Sequence, residues 1–411
     1  MSDKRFALKL IRSKLFSLAL LLAPLALAAQ FTHAQTETIL YSFSNKDGAQ
    51  PNGSLISDAE GNLYGTTLWG GKRVATGVLY QLTPSGKENI LFKFGSFGAG
   101  WEPNAGLVFD TQGNLYGTTY FGGIATAQEK NGQGGVFQLT PARKGKLIYK
   151  FTGGADGSFP AGGLIQDAQG NFYGTAEYGG DLSCLTSGSP AGCGTIFEIS
   201  PAAKGKFKEN TLYAFKNMPD AAYPVNSLVR DSEGNLYGSA SQGGEYGSPN
   251  VFEFALGKDI VFSSVSPTGG LILDGQGNLY GADLNEVFQL TPSGIVNVLY
   301  RFPGGIDGDG PQGPLVMDAQ GNLYGTAEFG GDPNCGNESS GCGVVFEITP
   351  NGQGGTETVL YTFHGQQFND GAYPGGGLLL DAQGNLYGTT QYGGGSLNCE
   401  NGCGTVFKIT P

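Results

Sequence analysis

The chain reads DAQGNLYGTTQYGG from Asp381 to Gly394, and nearly the same phrase occurs six more times upstream. It appears as DAEGNLYGTTLWGG from Asp58, DTQGNLYGTTYFGG from Asp110, DAQGNFYGTAEYGG from Asp167, DSEGNLYGSASQGG from Asp231, DGQGNLYG from Asp274 and DAQGNLYGTAEFGG from Asp318. In D-x-x-G-N the Asp side chain can bond the backbone ahead of it and the Gly supplies a positive φ. The phrase therefore predicts a tight turn joining two antiparallel strands. A short apolar strand precedes it, as in GSLISD, AGLVFD, GGLILD and GGLLLD, and NLYGTT follows as a second strand. A third run, seen as VLYQLTP, GVFQLTP, TIFEISP, VVFEITP and TVFKITP, ends at Pro, where a strand should stop. A fourth sets two aromatics two residues apart on one face: Tyr41 and Phe43, Phe92 and Phe94, Tyr149 and Phe151, Tyr213 and Phe215, Tyr300 and Phe302, Tyr361 and Phe363.

Four short strands per repeat, with period-two patterning and no helical signal after the first 34 residues, predict an all-β fold. The repeats start near residues 38, 89, 147, 211, 259, 297 and 358, with spacings of roughly 38 to 64 residues, in or near the range of propeller blades. A seven-bladed β-propeller of four-stranded antiparallel blades over residues 35–411 is the expected domain. The ends say how it closes. After the leader the chain begins with a fourth-type strand, TILYSF, and it stops just after a third-type strand, TVFKITP. Neither end is a whole blade, so the N-terminal strand is expected to complete the last blade and latch the ring.

Over residues 38 to 411 the two recurring phrases, D-x-x-G-N-L-Y-G-T and V-F-x-[LI]-T-P, resemble the GloVer-type tandem repeats of bacterial exported "choice-of-anchor" proteins, and more loosely the NHL-like propeller repeats. The resemblance implies an extracytoplasmic propeller and brings no activity with it. The chain ends inside its last repeat, so the C-terminal anchor of some such proteins is not expected here.

Lys4, Arg5, Lys9, Arg12 and Lys14 precede the apolar run LFSLALLLAPLALAA from Leu15 to Ala29, the pattern of a secretory signal peptide over residues 1–34. Cleavage is expected after Ala28, Ala29 or Ala34, and the mature chain is expected to be secreted, periplasmic or held at the cell surface without membrane insertion. Residues 1–34 carry five of the 23 basic residues and one of the 35 acidic ones, so the remainder has a net charge of −16. That acidity argues against nucleic acid as a partner and favours solubility as a monomer.

All six cysteines fall between second and third strands, as Cys184 and Cys193, Cys335 and Cys342, Cys399 and Cys403, and repeats without one cysteine lack both. In an exported protein this predicts three local disulfides. A zinc site would need the pairs to converge from different blades, and neither a metal nor a cofactor is expected. The seven turn aspartates read as turn residues. A second acidic series, Asp47, Asp156, Asp220, Asp307 and Asp370, opens D-G-x-x-P segments or variants of them between blades, with Ala99 in its place in the second repeat. Calcium held there by one carboxylate per loop is a weaker reading than a turn-initiating Asp before Gly.

Chemistry has few candidates. His33 belongs to the leader and His364 is the only other histidine; the carboxylates Glu177 and Glu328 share the context T-A-E-[YF]-G-G with nothing to bring them together. No catalytic residue is assigned. Large variation concentrates in the second-to-third loops and the inter-blade connections, which a propeller places on one face, and variable loops on a rigid scaffold are where binding resides. The residue before each Gly-Gly is aromatic in five repeats, Trp69, Phe121, Tyr178, Phe329 and Tyr392, and Trp101 adds a second tryptophan from an inter-blade loop. These six are the candidate ligand-binding residues, either wedging between blades or serving as platforms for a glycan or a partner protein. The leading expectation is a non-catalytic binding propeller. A polysaccharide- or lactone-processing propeller enzyme and a purely structural surface repeat are the alternatives.

Overall fold

The computed structural model describes residues 36–410 apart from 72–75, 96–99, 127–128, 185–190, 245–246, 256–257, 264, 266, 336–339 and 353. The expected leader with its cleavage points, and Ala99, lie outside the described residues. Seven antiparallel sheets form the blades of a propeller. Blade 1 shows the plan: Leu63–Trp69 pairs with Val78–Leu82, which pairs with Glu88–Lys93 at the outer edge. Among the described residues the only helical segments are three-residue 3₁₀ turns at Ala203–Gly205, Gly305–Asp307 and Gln366–Phe368.

The innermost strand differs from its expected single run. In blade 1 it is two pieces, Ala49–Pro51 and Ile56–Ser57, both paired to Leu63–Trp69. Pro51 cannot donate to the ladder, and at Gly53 the chain passes so close to the next blade that a Cβ would lie 2.8 Å from the Ala105 carbonyl oxygen. The chain leaves its own sheet there to pack around the axis.

The repeated turn forms as expected. Oδ1 of Asp58 accepts the backbone N–H groups of Glu60 and Asn62, while Oδ2 accepts the Asn62 amide at 2.7 Å and the Tyr64 hydroxyl at 2.8 Å. Asp381 repeats all four bonds with Gln383, Asn385 and Tyr387 in blade 7.

Between blades the core is aromatic. The second ring of each fourth-strand pair is buried and packs edge-on against a third-strand ring of the following blade: Phe94 on Phe137, Phe151 on Phe197, Phe215 on Phe252, Phe302 on Phe346 and Phe363 on Phe407, at centroid distances of 4.9–5.2 Å. T-shaped packing of this kind adds to the area buried. The ring closes by the same contact. Thr36–Ser42 pairs with Thr405–Thr410 from Thr36 opposite Thr410 to Ser42 opposite Thr405, and Phe43 then packs 5.0 Å from Tyr80 of blade 1.

Candidate functional site

The two variable sets of loops share one face because glycine stitches them together. In five of the six Gly-Gly pairs that end the repeated phrase, the second Gly donates its N–H to the inter-blade loop of its own blade: Gly71 to Asn45, Gly180 to Gly154, Gly244 to Asp220, Gly331 to Gly305 and Gly394 to Asp370, at 2.7–3.0 Å. These glycines have φ between +63° and +85°, a region other residues avoid. Local disulfides Cys184–Cys193, Cys335–Cys342 and Cys399–Cys403 close three of the second-to-third loops.

A position that the sequence reading missed lies just before the inter-blade proline. Gln50, Glu102, Phe159, Tyr223 and Tyr373 all have φ of 53–57°, strained for residues with a Cβ. The backbone N–H groups of Gln50, Phe159, Tyr223 and Tyr373 donate to Cys403, Gln133, Cys193 and Cys342 of the preceding blade, at 2.9–3.0 Å. That bond fixes the conformation, with Phe159 and Tyr223 buried and Gln50 and Tyr373 half-buried. Aromatic residues at three of these positions, within the D-G-x-x-P pattern, were the available signal.

With these additions the aromatic residues form two arcs. Across blades 2 to 4, Trp101 lies 5.3 Å from Phe121, Phe121 5.7 Å from Phe159, Phe159 6.0 Å from Tyr178, and Tyr178 5.3 Å from Tyr223. Across blades 6 and 7, Phe329 lies 5.9 Å from Tyr373 and Tyr373 5.7 Å from Tyr392. Trp69, Trp101, Phe121, Tyr178, Phe329 and Tyr392 are all half-buried. They pack against the blades beneath and keep an accessible edge, so neither of the two sequence alternatives describes them fully. The Trp101 indole N–H donates to the Asn131 carbonyl at 3.3 Å.

The second arc borders open space. A cavity of about 550 Å³ between blades 7 and 1 is lined by Trp69, Tyr392, Asn45, Gln50, Asn398 and Glu400, among others. A second, of about 680 Å³ between blades 6 and 7, is lined by Phe329, Tyr373, Tyr392, Glu328, Gln366 and Glu400 among others. The two share Tyr392, Glu400 and Asn401, and so form one groove over blades 6, 7 and 1. Cys399, Cys335 and Cys342 stand in its walls. The groove brings together Trp69, Tyr392 and Phe329 of the six expected residues; Trp101, Phe121 and Tyr178 belong to the other arc.

The axis holds a third cavity, of about 520 Å³, to which all seven blades contribute inner segments, glycine-containing in every blade but the fourth. Its amides interlink, Gln391 donating to Asn52 at 3.1 Å and Asn52 to Asn104 at 3.0 Å. The two carboxylates singled out from sequence do not form a pair. Glu177 lines the axial cavity and accepts the Tyr120 hydroxyl at 2.9 Å, whereas Glu328 lines the groove and accepts the Gln312 amide at 3.2 Å. Burial pushes both above the ordinary carboxylate range, against the lowering effect of those hydrogen bonds. Among the described residues no three His, Cys, Asp or Glu side chains are grouped to hold a metal ion.

Fold and face together define a closed seven-bladed propeller with a built loop-face groove. The chain belongs to the Gloeobacter/Verrucomicrobia repeat family, whose pattern matches residues 28–252 and 263–411. Its fold is similar to that of virginiamycin B lyase from Staphylococcus aureus, with a TM-score of 0.57 at 14% identity over 92% of this chain and 99% of that one. It is also similar to the extracellular domain of a protein described as a one-component system of B. thetaiotaomicron, with a TM-score of 0.54 at 13% identity over 92% of this chain and 42% of that one. At such identities the likeness concerns the fold alone. No curated protein matches the chain.

Proposed function

We propose that this protein is an exported binding propeller whose groove over blades 6, 7 and 1 holds an oligosaccharide. The carrying observation is the continuity of two cavities through Tyr392, with half-buried rings along them and amide and carboxylate groups between the rings. Sugar rings present C–H faces that pack on aromatic side chains and hydroxyl groups that donate to such acceptors, so this lining matches both surfaces of a glycan. Pairing of all six cysteines supports an oxidising compartment, as does the leader pattern.

The test is a glycan array with the secreted protein, followed by titration of the best hit. Trp69→Ala and Tyr392→Ala should each weaken that hit at least tenfold while the melting temperature falls only modestly, because both rings are half-buried. Binding that survives both substitutions, or an array with no hit, would remove the reading.

A catalytic reading has one observation in its favour, the half-buried Glu177 held by Tyr120 at the axial cavity. A carboxyl kept above its usual range is suited to proton transfer in polysaccharide or lactone chemistry. Turnover of such substrates that is abolished by Glu177→Gln would favour it over simple binding.

A further inference from the structure

The cavity between blades 6 and 7 differs chemically from the rest of the loop face. Its aromatic wall turns corners: Phe329 and Tyr373 stand at 68° to one another, and Tyr373 and Tyr392 at 88°. Rings set at such angles present faces and edges to a common space instead of stacking on each other. Glu328 and Glu400 line the same cavity. Gln366 and Gln367, also in the lining, each give an amide N–H to a loop carbonyl, of Ser396 at 2.7 Å and of Asn334 at 3.2 Å, so acceptor capacity is much of what they have left.

Charge in the surrounding sequence is one-sided. The described residues of the three loops around this cavity, 330–335, 340–343, 363–374 and 393–404, contain Asp332, Asp370 and Glu400 and no Lys or Arg. Their one histidine, His364, has Nδ1 2.8 Å from Asp332 and is already engaged. An anionic ligand would find no counter-charge from these loops. A cation would find carboxylates and the negative faces of aromatic rings, the combination that attracts an ammonium group.

We infer that the blade 6–7 cavity is a site for an organic ammonium group, with Tyr373, Tyr392 and Phe329 as its aromatic wall and Glu328 and Glu400 as its counter-charges. The site deepens the oligosaccharide reading if the group is carried by an amino sugar, but it stands on its own lining and requires only the ammonium. It also predicts rejection of uronic, sulfated and phosphorylated ligands.

The experiment is calorimetric or NMR titration of the full secreted protein with choline and with glucosamine, against the uncharged isostere 3,3-dimethylbutan-1-ol and against N-acetylglucosamine. Either cation should bind at least about tenfold more tightly than its uncharged counterpart, a margin on the order of one cation–π contact plus a charge. The stronger of the two identifies the source as quaternary or sugar-borne. Glu400→Gln, on an exposed side chain that leaves the fold intact, should lower affinity several-fold, as should Tyr373→Leu. Equal binding of the uncharged isosteres, no binding of either cation, or indifference to Glu400→Gln would overturn the site. An acetylated oligosaccharide that binds where both cations fail would overturn it and leave the oligosaccharide reading standing; cations that bind where no glycan does would do the reverse.

Discussion

At the scale of single residues, the repeated phrase is explained by two constraints. The aspartate is needed because one carboxylate serves two backbone N–H groups, an asparagine amide and a tyrosine hydroxyl within seven residues. Partial burial would raise its pKa, but these four bonds outweigh burial and hold Asp58 and Asp381 below the ordinary range. Their contribution is therefore present above the unfolded pKa and is lost as pH falls through the lower folded value. The glycine of N-L-Y-G is needed because the third-strand ring lies across it: a Cβ on Gly325 would be 2.6 Å from Phe346 Cζ, and one on Gly117 2.8 Å from Phe137 Cζ. Gly275, in a turn of the same phrase, has nothing within 4 Å of its would-be Cβ and no positive φ. Gly325→Ala should thus cost about 1–3 kcal/mol through overpacking, while Gly275→Ala should be neutral or slightly stabilising. Denaturant unfolding of the two variants measures both, and equal effects would contradict the steric account.

Between elements, most blade junctions carry a polar cluster. The fourth-strand tyrosine of one blade donates to the inter-blade aspartate of the next: Tyr41 to Asp47, Tyr149 to Asp156, Tyr213 to Asp220 and Tyr361 to Asp370, at 2.8–2.9 Å. Near Asp47, Asp156 and Asp370, and near Asp307 beside Tyr300, lies an outer-strand glutamate: Glu88, Glu209, Glu37 and Glu357 respectively. Where blade 1 meets blade 2 all three members change, to Phe92, Ala99 and Gly145, and a Cβ on Gly145 would run into the Phe92 ring. Burial, then the neighbouring aspartate, pushes Glu37 up to about 8 and Glu88 and Glu357 up to about 7. Lys93 works against the rise at Glu88. A carboxyl raised above its unfolded value stabilises the fold while protonated, so this contribution is whole below about pH 4.5 and is lost as pH rises through 7 to 8. The melting temperature should therefore fall from pH 5 to pH 9. Glu37→Gln, which stays uncharged, should flatten that fall; an unchanged slope would show that the junction glutamates do not set it.

For the whole molecule, closure depends on pairing the two ends of the chain. Beyond the strand pairing, Phe43 is fully buried and its N–H donates to the Gly404 carbonyl at 3.0 Å. Asn398 donates to the Ser44 carbonyl at 3.2 Å from the opposite end of the sequence. Deleting the chain through Phe43 should remove the outer strand of blade 7 and expose the seam with blade 1. Phe43→Ala alone should cost about 3–5 kcal/mol. An unchanged melting temperature for either variant would contradict the latch.

The sequence by itself determined the parts that every blade must share. Turn, strand pairing and latch follow from local rules of hydrogen bonding, periodicity and turn geometry, applied seven times over, so repetition made them legible. It also placed the variable loops, the three disulfides and Trp69, Phe329 and Tyr392 on one face. Tertiary structure alone decided which of those residues meet. Tyr373 joins the groove through a left-handed backbone conformation held by a carbonyl of the preceding blade, and the grouping of Trp69 with Tyr392 and Glu400 crosses the seam between residues more than 300 positions apart. Such contacts depend on how seven blades curve around an axis, and no local pattern encodes that curvature.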